Sequence, residues 1–89
     1  MSNVLTRCQV SPGLSDSEYY VLVNGSAAYY VNRGNVIVDS VPTIGQLLEG
    51  RVRGYEIQRA NNQILVQLPG EAVVGGLRTW VDSDRVSAA

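Results

Sequence analysis

Tyr19-Tyr20-Val21-Leu22-Val23-Asn24-Gly25-Ser26-Ala27-Ala28-Tyr29-Tyr30-Val31 is the stretch on which the fold turns. Two runs of aromatic and β-branched residues flank Asn24-Gly25, a dipeptide whose two positions tolerate the positive φ of a type I′ turn. The stretch reads as an antiparallel hairpin, residues 19–23 returning as residues 26–31. Adjacent residues of a strand point to opposite faces, so each Tyr-Tyr pair sends one ring inward and one outward.

Beyond the hairpin the chain continues in short extended runs. Asn32-Arg33-Gly34-Asn35 turns, Val36-Ile37-Val38 is apolar, and Asp39-Ser40-Val41-Pro42 interrupts pairing because Pro has no amide donor. Residues 44–58 form the longest extended stretch. Leu48 and Val52 share one parity and Tyr55 and Ile57 the other, which predicts a bulge or sharp bend at Gly54. Arg59-Ala60-Asn61-Asn62 is a polar turn, and Gln63-Ile64-Leu65-Val66-Gln67-Leu68 puts Ile64, Val66 and Leu68 on one side. A loop runs from Pro69-Gly70 through Gly75-Gly76. Residues 77–81 form a strand, and Asp82-Ser83-Asp84-Arg85 makes a tight turn into a last short strand at Val86. Residues 1–18 lack clean periodicity and read as an N-terminal arm, or a short strand plus loop, leaving 19–89 as the domain proper. No segment keeps a 3.6-residue period over 11 or more residues. Five or six short, bent antiparallel strands in an all-β chain predict a small barrel or a two-sheet sandwich.

Composition narrows function by exclusion. At 89 residues this is one small domain, with 45% hydrophobic residues and 17% charged, against roughly 25% charged in an average globular protein. A net charge of −1 with no Lys argues against a nucleic-acid partner, which needs a basic footprint. No apolar run approaches the ~18 residues of a membrane span. No basic segment followed by an apolar stretch opens the chain, so no secretory signal is legible. If the chain is complete, that places it in the cytoplasm or in a virion. The absence of His removes the commonest general base and metal ligand. The single Cys8 cannot make an internal disulfide or a Cys-based zinc site.

Residues 29–86 resemble the bacterial SH3 domain, a small SH3-like barrel. The resemblance is carried by Tyr30-Val31-Asn32-Arg33, by Val41-Pro42-Thr43-Ile44-Gly45-Gln46-Leu47 with Glu49-Gly50, and by Asn62 leading into Ile64-Leu65-Val66-Gln67-Leu68. It ends on Thr79-Trp80-Val81-Asp82-Ser83-Asp84-Arg85-Val86. The Gly that usually precedes the closing Trp is Thr79 here, and Ile64 stands where an aromatic is common. The resemblance implies a one-turn 3₁₀ element after Trp80-Val81. It also implies a peptide or cell-wall (peptidoglycan) groove lined by Trp80, Tyr29 or Tyr30, and Tyr55. Leu48-Glu49-Gly50-Arg51-Val52-Arg53-Gly54-Tyr55-Glu56 is also similar to Sm-type barrels, which share the bent five-stranded form.

The remaining residues carry little chemistry. Trp80 is either a groove wall or a residue that closes the barrel. Arg51 and Arg53 alternate on one strand face and suit bidentate pairing with a partner, although Glu49 and Glu56 balance them on a solvated face. Asp82 and Asp84 fit turn capping and have no companion nucleophile. They also lack the Gly and distal Glu of a calcium loop. Cys8 has no His to activate it. The sequence therefore predicts no enzyme, no metal and no cofactor. It predicts an interaction or structural subunit that docks on a protein partner, or on copies of itself, through Tyr29, Tyr30, Tyr55, Trp80, Arg51 and Arg53. A phage virion accessory protein is one such case, and a peptidoglycan-binding module is the alternative.

Overall fold

The computed structural model describes residues 2–25 and 27–89, so Ser26, expected in the hairpin return, lies outside the described residues. Among the described residues nine strands follow one another: β1 (Ser2–Pro12), β2 (Glu18–Val23), β3 (Ala27–Asn32), β4 (Val36–Ile37), β5 (Leu48–Ala60), β6 (Gln63–Gln67), β7 (Glu71–Val74), β8 (Arg78–Asp82) and β9 (Val86–Ala88). One-turn 3₁₀ elements at Arg33–Asn35 and Ser83–Arg85 join β3 to β4 and β8 to β9. The strands make one curled antiparallel sheet, a half-barrel, in the order β7-β3-β2-β1-β5-β6-β8, with β4 on β5 and β9 on β1. Among the described residues there is no α-helix.

The 19–31 hairpin forms as read. Tyr19 pairs with Val31 and Tyr20 with Tyr30, and Asn24 and Gly25 have φ of 58° and 69°. Tyr19 and Tyr29 are buried, while Tyr20 and Tyr30 face outward and meet edge to face, 5.7 Å between centroids. The interior is built mainly from valines at alternate strand positions, among them Val10, Val21, Val23, Val31, Val52, Val66 and Val81, with Ile64 and Leu68 as expected from their shared parity.

Four readings are corrected. Residues 2–12, within the 1–18 segment read as an arm or a short strand plus loop, form a long strand at the centre of the sheet, pairing with β2, β5 and β9. Its inward positions are Val4, Thr6, Cys8 and Val10, all buried, so Thr and Cys masked a period of two. The extended stretch begins at Leu48, because Thr43-Ile44-Gly45-Gln46 is a turn. The bulge falls at Ile57, between the pairs Glu56↔Val66 and Gln58↔Leu65. Gly54 answers a different need: a Cβ there would lie 2.7 Å from the Gln67 carbonyl oxygen. Finally, the 69–76 loop contains β7, which pairs along β3 and, with β1, adds to the runs read from the sequence to give nine strands among the described residues.

The register also contains a structural repeat. The series β1, β2, β3, 3₁₀ turn, β4 recurs as β5, β6, β8, 3₁₀ turn, β9. Val36↔Val52 and Ile37↔Arg51 between β4 and β5 have their counterparts in Val86↔Thr6 and Ser87↔Leu5 between β9 and β1. Tyr19↔Val31 and Tyr20↔Tyr30 correspond to Ile64↔Val81 and Leu65↔Trp80. The caps of the two 3₁₀ turns agree closely: Asn32 (−55°, 136°) with Asp82 (−63°, 139°), and Val36 (−122°, 134°) with Val86 (−120°, 135°). These equivalences define an internal two-fold that exchanges the halves and passes between Thr6 and Val52, which pair with each other.

Candidate functional site

The structure disperses the aromatic residues that the sequence brings together. Tyr29 has no exposed surface; burial pushes its phenol pKa up, and its hydroxyl has no hydrogen-bond partner. It packs the core and offers no face to a ligand. Tyr30 lies half-buried against Tyr20. Trp80 projects from the outer face of β8, 38% exposed, over a shallow depression formed with Ala60, Asn61, Asn62 and Gln63. Tyr55, 41% exposed, stands on the wall of a different cleft with Asn3, Asn35, Arg53, Gly54, Pro69 and Ala89. Tyr55 and Trp80 thus line separate depressions.

Arg51 and Arg53 are also separated. Both point outward from β5, but Arg53 lines the Tyr55 cleft, of about 480 Å³, while Arg51 joins Arg7, Asp39 and Glu49 around a second cleft of about 240 Å³. Arg7 and Arg51 are direct cross-strand partners, a like-charge arrangement that is unfavourable by itself. Among the described residues the single ion pair is Arg59 with Glu56, at 2.9 Å, so neither Arg51 nor Arg53 has a carboxylate in contact. The two clefts correspond in part under the internal two-fold: Asn3, Arg53 and Ala89 in one answer to Glu49, Arg7 and Asp39 in the other.

The most exposed large apolar side chain among the described residues lies where the sequence predicts a strand. Ile44 is 96% exposed, flanked by Val41 at 60% and Leu47 at 53%, on the connection between the two halves. The Gln46 amide N–H donates to the Thr43 carbonyl (3.0 Å), and Gly45 has φ 88°, the geometry of a type II turn with Ile44 at its second position. The Gln46 side chain locks the turn, its Oε1 accepting from the Thr43 N–H at 2.9 Å. Pro42-Thr43-Ile44-Gly45 carried the signal, since Gly is the residue this turn demands at its third position.

Cys8 is buried on β1. Desolvation, with a smaller push from Glu49 and a small counter-effect of Arg85, raises its pKa to about 12. The thiol is a core side chain at neutral pH. Among the described residues, no group of three or more His, Cys, Asp or Glu side chains gathers into a metal-ligating cluster. No family model matches the chain, and neither a curated protein nor a solved structure is significantly similar to it.

Proposed function

We propose that this chain is a non-enzymatic docking subunit, an SH3-like barrel that joins a larger protein assembly through preformed apolar surface. The observation that carries this reading is Ile44. A β-branched apolar side chain is held almost wholly in solvent by a turn that is hydrogen-bonded through both backbone and side chain. Fixing the turn in advance lowers the entropy lost on binding, and burial of one such side chain contributes about 1.5–3 kcal/mol. Val73, Val74 and Leu77, on β7 and the turn after it, are exposed as well. A phage virion is one setting in which such a subunit serves.

The alternative, a peptidoglycan-binding groove, has less support because Tyr29 is buried and Tyr55 and Trp80 line separate depressions. Ile44→Asp separates the two readings. The docking reading expects the variant to keep its strand signal in circular dichroism and to lose its place in the complex recovered from producing cells, measured by cross-linking and light scattering. Undiminished incorporation of the variant, or saturable pelleting of the monomer with bacterial sacculi, overturns it.

A further inference from the structure

The internal two-fold supplies a comparison within the molecule. Each long central strand changes partner along its outer edge. β1 leaves β9 after Thr6 and meets β2 at Gln9. β5 leaves β4 after Val52 and meets β6 at Tyr55. The residues at the gap are Arg7-Cys8 in one half and Arg53-Gly54 in the other. In the first half the chain fills its own gap. Arg85, from the second 3₁₀ turn, lays its guanidinium there, Nη2 donating to the Arg7 carbonyl at 3.4 Å. Glu49 and Asp39 add two side-chain carboxylates beside Arg7 and Arg51.

In the second half each of those positions holds a smaller or uncharged side chain. Asn35 stands for Arg85, Asn3 for Glu49 and Ala89 for Asp39. The cleft is about twice as large, roughly 480 against 240 Å³. Its charged side chain is Arg53, which pairs with no carboxylate among the described residues. Around it stand two carboxamides, Asn3 and Asn35, able to donate to and accept from a peptide backbone. Tyr55 and Pro69 supply flat apolar walls.

We infer that the Arg53–Tyr55 cleft is a binding site for an acidic segment of a protein partner. A Glu or Asp side chain of that segment meets Arg53 in a cleft whose lining holds no carboxylate, whereas the smaller cleft is already lined by Glu49 and Asp39. The guanidinium gives bidentate, charge-assisted recognition of the carboxylate, and Asn3 and Asn35 hold the adjoining backbone. The inference rests on the docking reading above and adds a second contact, chemically distinct from the apolar one at Ile44.

The test titrates the isotope-labelled full chain with an acetylated, amidated tetraglutamate peptide, using the tetraglutamine peptide as control and two-dimensional NMR as readout. Saturable shifts confined to Asn3, Asn35, residues 53–55 and Pro69's neighbours are expected, weakening with added salt. Arg53→Gln, an exposed position that leaves the fold intact, weakens binding about ten-fold or more. Arg7→Gln changes it less than two-fold. Equal binding of tetraglutamine, shifts centred on Arg7 and Arg51, or no saturation at millimolar peptide overturns the site. The Ile44→Asp incorporation assay then decides the docking reading independently.

Discussion

Thr6 and Val52 are Cα partners across β1 and β5, both wholly buried, and each is the counterpart of the other under the internal two-fold. The pair is chemically unequal. Val52 brings only methyl groups, whereas the Thr6 hydroxyl has no hydrogen-bond partner. A buried, unsatisfied hydroxyl costs about 1–3 kcal/mol. Thr6→Val makes the two positions chemically alike at nearly constant volume. The variant is expected to gain about 1–2 kcal/mol, read as a higher urea midpoint at unchanged m-value. A lower midpoint would show that the hydroxyl is satisfied in solution.

Cys8 sets an alkaline limit on stability. Its folded pKa, about 12, lies above the ordinary thiol value of 9.0, so the thiol of the unfolded chain ionises first as pH rises. Below pH 9 the two states hold the same proton and the contribution is complete. Between 9 and 12 the unfolded chain loses a proton that the native state keeps, and stability falls by up to about 1.4 kcal/mol per pH unit. Tyr29, also shifted upward by burial, acts in the same direction. Denaturant melts from pH 7 to 10.5 should therefore show a loss of stability that Cys8→Ala reduces. A wild-type profile flat across that range contradicts the burial of the thiol.

The sequence conveyed the strands better than their arrangement. Runs such as residues 19–23 and 63–68 show period-two patterning, with Val, Ile and Tyr at inward positions, and these appear as read. β1 was concealed because Thr6 and Cys8 occupy core positions that a hydropathy pattern scores as polar or neutral. The repeat was concealed by its spacing. Five residues separate β1 from β2 but two separate β5 from β6, and β7 is inserted only in the second half. Across the aligned strands and 3₁₀ turns the halves are identical at Arg7/Arg53, Val21/Val66, Val31/Val81 and Val36/Val86. Three of those four pairs are valines in or against the core. Burial conserves the pattern of the fold while leaving the letters free. The separation of Tyr55 from Trp80 was not legible for a related reason: alternation tells which ring faces inward, but only curvature decides which outward rings converge.

Gly54 offers a sharp test of how closely β6 approaches β5. An added Cβ would lie 2.7 Å from the Gln67 carbonyl oxygen and 2.9 Å from Leu68 Cδ2. The first of these is backbone and cannot rotate away. Gly54→Ala is expected to cost about 2 kcal/mol or more. Gly50→Ala, 2.8 Å from the Ile37 carbonyl oxygen, should behave alike. Thermal melts of both variants check this. Equal melting temperatures for wild type and Gly54→Ala would mean that the strands pack less closely than described.

The outer sides of β3 and β8 are covered by unequal devices at equivalent places. Beyond Tyr30 on β3, the second half sends across β7, with Glu71 opposite Tyr30 and Ala72 opposite Tyr29. Beyond Trp80 on β8, the counterpart of Tyr30, the first half sends a single side chain: Asn24 Nδ2 donates to the Trp80 carbonyl at 3.0 Å. An edge strand with free backbone groups is a template for unwanted pairing, so this one bond has a protective role out of proportion to its strength. Asn24→Gly isolates that role, because Gly accepts the φ of 58° that the turn requires. The variant is expected to lose only about 1 kcal/mol. It should also exchange the amides of β8 faster and associate more readily on concentration, as measured by hydrogen exchange and light scattering. If exchange along β8 is unchanged, the edge is shielded by the turn backbone and the Asn24 side chain contributes nothing to closure.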